Sequence, residues 1–341
     1  MRLRLRRGSA PSTRRQHRGV ARRRRAARAM ASLAVLAGAG CASGGGEPDA
    51  APKPPQGAVV ELAAESFPLD GAPWGVAIDG DTIWVSDTSR GALLRIDAIS
   101  GNLRDRIATG APDPRDTGVA LDAGELWVAN LGGTVGVLDA ATGEPSARVP
   151  TGEGEPASVS LDDRWAWVPT HGPGGGLVRL DRADPALDPL AVALPESGFA
   201  AAVSDGTVWV AGLERRVFAV DAATGDVERT IDVGGAPRGV AVAAGDVWVS
   251  LRDERSVVRI DEATGDVVAR IETGGQPWPI AAGRDMVWVA TLEGRLLGID
   301  PSRNAVTARA TIGMEARAVA VADAVVWVTS QRAALTRVTT R

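Results

Sequence analysis

Between Gly239 and Gly275 the chain reads GVAVAAGDVWVSLRDERSVVRIDEATGDVVARIETGG, and its apolar positions fall into four short runs: Val240–Ala243, Val247–Ser250, Val257–Ile260 and Val267–Ile271. Turn residues separate them. Apolar runs this short, rich in Val and bounded by Gly and Asp, read as strands rather than helix turns. Four in succession with tight connections read as one antiparallel sheet. The first run is small and apolar throughout, as in a strand buried on both faces. In the fourth, Val267, Ala269 and Ile271 differ in character from Val268, Arg270 and Glu272, as on a half-exposed outer edge.

The unit recurs. Trp84, Trp127, Trp167, Trp209, Trp248, Trp288 and Trp327 are each followed by Val, at spacings of 39 to 43 residues. Four strands in about forty residues is the size of a propeller blade. The small apolar run before each Trp recurs as well, from Val76–Ile78 to Val319–Val321. So does a turn Asp-x-x-Thr/Ser-Gly, at Asp97–Gly101, Asp139–Gly143, Asp221–Gly225 and Asp261–Gly265. In this turn the Asp accepts from loop N–H groups and the Gly takes positive φ. The last unit runs out of chain after its third strand, and AVVELA (Ala58–Ala63) precedes the first unit without a partner. The expectation is an all-β chain: a seven-bladed β-propeller of four-stranded antiparallel blades over 58–341. The N-terminal strand, Ala58–Ala63, would close the last blade and remove the open seam. The third unit is irregular, with a Gly-rich loop His171–Gly176 and a turn at Asp181–Pro185 that lacks Gly.

Composition adds location. Residues 1–41 hold twelve Arg and no acid, whereas residues 42–341 hold twenty-six basic against forty-two acidic residues, a net of −16. An acidic folded part excludes nucleic acid as a general partner. The basic tract precedes a short apolar run, Ala29–Gly40, too short to span a bilayer and of signal-peptide size. The unique Cys41 follows at once, so no internal disulfide can form. The expected organisation is a lipoprotein-type signal over 1–41 with a lipidated Cys41, then a Gly/Pro/Ala-rich tether over 42–57. The chain would be exported and anchored to the bacterial cell envelope, as a monomer.

The motifs Ile-Trp-Val-Ser, Val-Arg-Ile-Asp-x-Ala-Thr-Gly and Gly-x-Pro-x-Gly-Val-Ala-Val resemble those of YVTN-type repeat propellers, a superfamily that includes virginiamycin B lyase-like proteins and lies near the NHL-repeat propellers. The resemblance covers 58–341 and implies the fold. Such a lyase uses a metal site with several His, whereas His171 is the only His beyond the signal. The Asp-x-x-Thr-Gly turn is similar also to quinoprotein-like propellers, including an outer-membrane assembly lipoprotein. Those usually have eight blades and a Trp after the Thr-Gly, where this chain has residues such as Arg229 and Ala269. The first resemblance is therefore preferred.

Function is sought where the repeat is broken. Loops entering each innermost strand surround the channel mouth, where propeller ligands bind by fold-level analogy. They carry Trp74, Arg115, Asp116, Phe199, Arg238, Trp278 and Arg317, and the loops after the Trp-Val strands add Asp87, His171, Arg252, Asp253 and Glu293. Trp74 and Trp278 each follow a Pro in the same repeat position and are extra to the structural seven. Each either stacks on a sugar, base or peptide side chain or packs on its own loop. Arg115, Arg238 and Arg317 either form an anion-binding arc or pair with neighbouring acids. His171 is a surface residue, a base or a ligand. No nucleophile–base pair, His cluster or phosphate loop appears, and no cofactor is expected. Two functions stand: a non-catalytic envelope binding or scaffold protein for a protein, peptide or glycan, or a lyase- or lactonase-type enzyme with a metal held by carboxylates.

Overall fold

Each Trp-Val unit becomes one sheet. The computed structural model describes residues 58–109, 118–130, 133–332 and 334–340, and among them every regular element is a strand. Cys41, the signal and tether regions and Arg115 lie outside the described residues. The strands form seven sheets, in sequence order around a closed ring. Blade five shows the pattern: Pro237–Ala243 innermost, then Asp246–Leu251, Ser256–Asp261 and Val267–Glu272 outermost, all antiparallel. The other innermost strands are Pro73–Asp79, Val119–Asp122, Gly198–Ser204, Pro277–Ala282 and Ala316–Ala322. In blade three the corresponding segment splits into Glu155–Pro156 and Ser160–Leu161, and the outer strand shrinks to Leu190–Val192.

An N-terminal strand closes blade seven, but it is not Ala58–Ala63. Ala64–Pro68 pairs antiparallel with Ala334–Thr339, placing Ala64 opposite Val338 and Pro68 opposite Ala334. Val60 and Glu61 instead add in parallel to the outer strand of blade six, opposite Ala308 and Arg309. The apolar anchors decide this placement. Leu62 packs at the seam between blades six and seven. Phe67 and Leu69 pack at the seam between seven and one. Phe67 lies 5.8 Å from Trp327 between ring centroids. Ser66 bonds Thr336 at 3.0 Å and Glu65 pairs with Arg337.

The seven repeated Trp sit between blades. Each centres its own apolar cluster, completed by the middle strands of the next blade. Trp248 of blade five, fully buried, meets Val287, Val289, Leu297 and Ile299 of blade six. The turns form as the sequence predicts: Asp97 accepts from the amides of Ile99 at 3.0 Å and Ser100 at 2.7 Å, and Gly101 has φ +72°. These bonds hold the carboxyls of Asp97, Asp139, Asp221 and Asp261 below the usual range, the amide at the Ser or Thr contributing most.

A device that the sequence reading missed links the turns to the Trp. Arg95, Arg179, Arg259 and Arg337 stand opposite a repeated Trp in the ladder and stack on it at 5.3–5.8 Å. Each reaches carbonyls in the turn of the following blade: Ala141 at 2.7 Å, Ala222 and Ala223 at 3.1 and 3.0 Å, Pro301 at 2.7 Å, and Ala98 and Ile99 at 3.3 and 2.9 Å. The guanidinium thus clasps adjacent blades at the rim while the indole wedges them inside. The run Arg-Ile/Leu-Asp in blades one, three and five was the available signal.

Candidate functional site

The innermost strands do not run smoothly into the mouth. Their ladders with the Trp-Val strands shift register between Pro73 and Val76, Gly198 and Ala200, Pro237 and Gly239, Pro277 and Ile280, and Ala316 and Ala318. The residues at these bulges include Trp74, Phe199, Arg238, Trp278 and Arg317. A bulge re-aims its side chain out of the alternating pattern, and all five line one cavity of about 330 Å³ on the axis. The sequence reading assigned them to loops; they are strand residues at one equivalent position, three before the innermost partner of each repeated Trp.

A bulge leaves an N–H and a C=O without ladder partners, and burial makes such orphans costly. Hydroxyl groups satisfy them. The amides of Gly75, Gly239 and Ala318 donate to Ser86 Oγ at 2.7 Å, Ser250 Oγ at 2.9 Å and Thr329 Oγ1 at 3.1 Å. Ser250 then donates to the Trp278 carbonyl of the next blade at 2.7 Å, and Thr329 donates to the Trp74 carbonyl. Ser158 donates to the Phe199 carbonyl at 3.2 Å. All three aromatic positions are therefore pinned from the preceding blade. The Ser or Thr directly after Trp-Val in blades one, five and seven was the sequence signal.

Around the ring, blades four, five, six, seven and one contribute Phe199, Arg238, Trp278, Arg317 and Trp74, so aromatic rings and guanidinium groups alternate. Arg238 lies 5.7 Å from the Phe199 centroid and 5.9 Å from that of Trp278. Arg317 lies 5.2 Å from Trp278 and 4.6 Å from Trp74. Arg252 adds a third cation at 5.7 Å from Trp278. Phe199 meets Trp278 edge-on at 5.9 Å. Arg238 donates to the carbonyls of Pro237 at 2.8 Å and Leu213 at 3.4 Å, and among the described residues it makes no ion pair. Burial, and after it the Arg252 cation, lowers its proton affinity against the pull of Asp253; a guanidinium stays charged nonetheless. Arg317 is held by Gln331.

Asp116 lies outside the described residues, and three of the carboxylates that the sequence places on this face, Asp87, Glu293 and Asp253, are engaged elsewhere. Asp87 is buried; burial raises its pKa, but bonds from Ser89, the Ala72 amide, Arg106 and Arg90 outweigh that and hold it low. Glu293 accepts from the Gln276 amide at 2.8 Å, and Asp253 pairs with Arg252 at 2.8 Å. His171 is the last residue of the strand Trp165–His171 rather than a loop residue. Its Nδ1 is 3.8 Å from Glu155 Oε2, and it does not line the axial cavity. Among the described residues no three His, Cys, Asp or Glu are grouped to hold a metal ion. The structure thus brings together Trp74, Arg238, Trp278 and Arg317, joins Phe199 and Arg252 to them, and leaves His171 apart.

Fold and mouth define a seven-bladed propeller with an arginine–aromatic arc at one end of its channel. The chain belongs to the family described as outer membrane protein assembly factor BamB, whose sequence profile matches residues 132–333. That is the second of the two resemblances, carried here on seven blades rather than eight. Comparison with curated proteins returned no match. Among solved structures, virginiamycin B lyase from Staphylococcus aureus is similar at TM-score 0.71 and 14% identity, over 82% of this chain and 99% of that one. Hydrazine synthase of Kuenenia stuttgartiensis is similar at TM-score 0.68 and 16% identity, over 78% and 95%. The computationally designed protein Ika8 follows at 0.62 and 13%, over 83% and 100%. At these identities the likeness is one of fold.

Proposed function

We propose that the chain is a non-catalytic binding or scaffold protein of the cell envelope that recognises a protein, peptide or glycan at the channel mouth. The observation that carries this reading is the arc of five bulged positions, each with a large aromatic or cationic side chain and with all three aromatic positions pinned by a neighbouring blade's hydroxyl. Preorganised, well-packed Trp and Arg are the residues that dominate binding energy at interfaces. Membership in a family named for outer membrane protein assembly supports a protein partner and an envelope location. On this reading Cys41 is the lipid anchor and 42–57 is the tether.

The lyase or lactonase reading needs free carboxylates at the mouth, and Asp87, Asp253 and Glu293 are bound by arginines or backbone amides. The test is capture of envelope components on the full-length protein, wild type against the double variant Trp74→Ala/Trp278→Ala. Loss of a captured partner in the variant is expected; an unchanged capture profile refutes the mouth as the site. Cell fractionation of Cys41→Ser checks the anchor: the variant should leave the membrane fraction, and unchanged membrane association refutes it.

A further inference from the structure

We infer that Met286 is an oxidation site, and that its conversion to the sulfoxide loosens the N-terminal strap, Val60–Leu62, from blade six. Blades one, three, five and seven place an arginine opposite the repeated Trp. Blade six places Gly298 opposite Trp288. The residue two positions before the Trp changes with it. In blade five it is Asp246, bonded to the clasping Arg259 at 2.6 Å. In blade three it is Trp165, stacked on Arg179 at 4.3 Å. In blade six it is Met286. A Cβ on Gly298 would lie 2.7 Å from Met286 Cε and 2.9 Å from the Trp288 ring, so the thioether methyl fills the place of the missing clasp. Met286 packs against the same apolar cluster as Leu62 of the strap.

A thioether packs well beside an indole, and two-electron oxidants convert it to a polar sulfoxide. Met286 is half-buried. It lines an open cleft of about 550 Å³ between blades five and six, with Ala243, Ala244, Arg259 and Pro301 on the other side, so hydrogen peroxide can reach it. The sulfur lone pair attacks one peroxide oxygen and the O–O bond breaks. The hydroxide released takes the proton from the new S–OH group and leaves as water, so sulfur is oxidised and peroxide reduced. The added oxygen needs a donor, and the sulfur's contact with Thr307 Oγ1 is long at 3.9 Å. The Gly298 distances show no slack beside the methyl. The oxidised side chain therefore leaves the Trp288 ring for the cleft. The consequence runs along one ladder row, in which Trp288, Gly298, Ala308 and Val60 stand opposite one another in succession. At its far end the strap holds blade six by the pairing of Val60 and Glu61, the Leu62 amide bond to the Arg309 carbonyl at 2.8 Å and the Glu61–Arg309 ion pair. Two residues of ladder leave it dependent on the packing of Leu62.

The experiment treats the folded full-length protein with hydrogen peroxide and follows each methionine by peptide mapping. Met314, 47% exposed, is the internal control. Oxidation at Met286 should lower the melting temperature by about 2–6 °C, the scale of one poorly satisfied buried polar group in a large domain. It should also speed amide exchange across Val60–Leu62. Met286→Leu should abolish both effects of peroxide, and Met314→Leu should leave them. Met286→Gln should show both without peroxide. A Met286 that stays reduced while Met314 is fully oxidised overturns the inference, and so does an oxidised Met286 with unchanged melting and exchange. A peroxide-induced shift that persists in Met286→Leu overturns it as well. If Met286→Leu is itself destabilised, treatment of the oxidised wild type with a methionine sulfoxide reductase decides. Restored melting supports the inference, and melting that stays low once Met286 is reduced overturns it.

Discussion

Trp248→Ala tests whether the propeller is held at its seams. The indole is fully buried and, with Val257 and Ile271, is what blade five sends into the cluster formed with Val287, Val289, Leu297 and Ile299. Truncation removes most of a side chain that buries roughly 150–250 Å² and leaves a void that ladders on both sides prevent from collapsing. Such Trp→Ala changes cost about 3–5 kcal/mol. Arg259 also loses its stacking partner at 5.3 Å, about 0.5–1 kcal/mol more. Against a total stability of roughly 5–15 kcal/mol this is severe. At roughly 2 °C per kcal/mol for a large domain, the melting temperature should fall by about 6–10 °C. Differential scanning calorimetry should compare it with Trp278→Ala, which removes the same side chain from a half-buried mouth position. If Trp248→Ala lowers the transition no more than Trp278→Ala does, the wedge argument is wrong.

Three further outcomes follow from the same contacts. Arg337→Gln should destabilise by roughly 1–2 kcal/mol in urea unfolding, because it cuts bonds to Ala98 and Ile99 across the ring's closing seam; an unchanged midpoint would show that the clasp is idle. Gly101→Ala should destabilise more than Gly80→Ala, although both glycines have positive φ, since only at Gly101 would the new Cβ overlap the Phe67 ring of the closing strand. Equal losses would mean that backbone strain alone decides. Stability should also fall with acidification. The turn carboxyls of Asp97, Asp139, Asp221 and Asp261 have folded pKa values depressed below 3.8, so their contribution is complete above that pH and is lost as the pH drops through the folded values. Unfolding midpoints between pH 5 and pH 2 should therefore decline, and less steeply in Asp261→Asn; parallel curves would refute the linkage.

The blade count, the strand order and the turn chemistry were legible because they repeat. Seven Trp-Val pairs at a nearly constant spacing, and four Asp-x-x-Thr/Ser-Gly turns, report local geometry that short stretches of chain determine. The closing strand was misplaced by a few residues because both AVVELA and the residues after it can form an edge. Only the seams that accept Leu62, Phe67 and Leu69 choose between them.

The sequence by itself marked Trp74, Trp278, His171 and the arginines before the innermost strands, Arg115, Arg238 and Arg317, as exceptions to the repeat. Only the tertiary structure decided which of them meet, in what order, and that Phe199 joins them. Their positions are about forty residues apart in the chain, and ring closure sets Arg317 beside Trp74. It also separated His171 from the group, since His171 ends the second strand of blade three and does not line the axial cavity. Alternation of ring and guanidinium is a property of neighbouring blades, and no local stretch of sequence contains two of them.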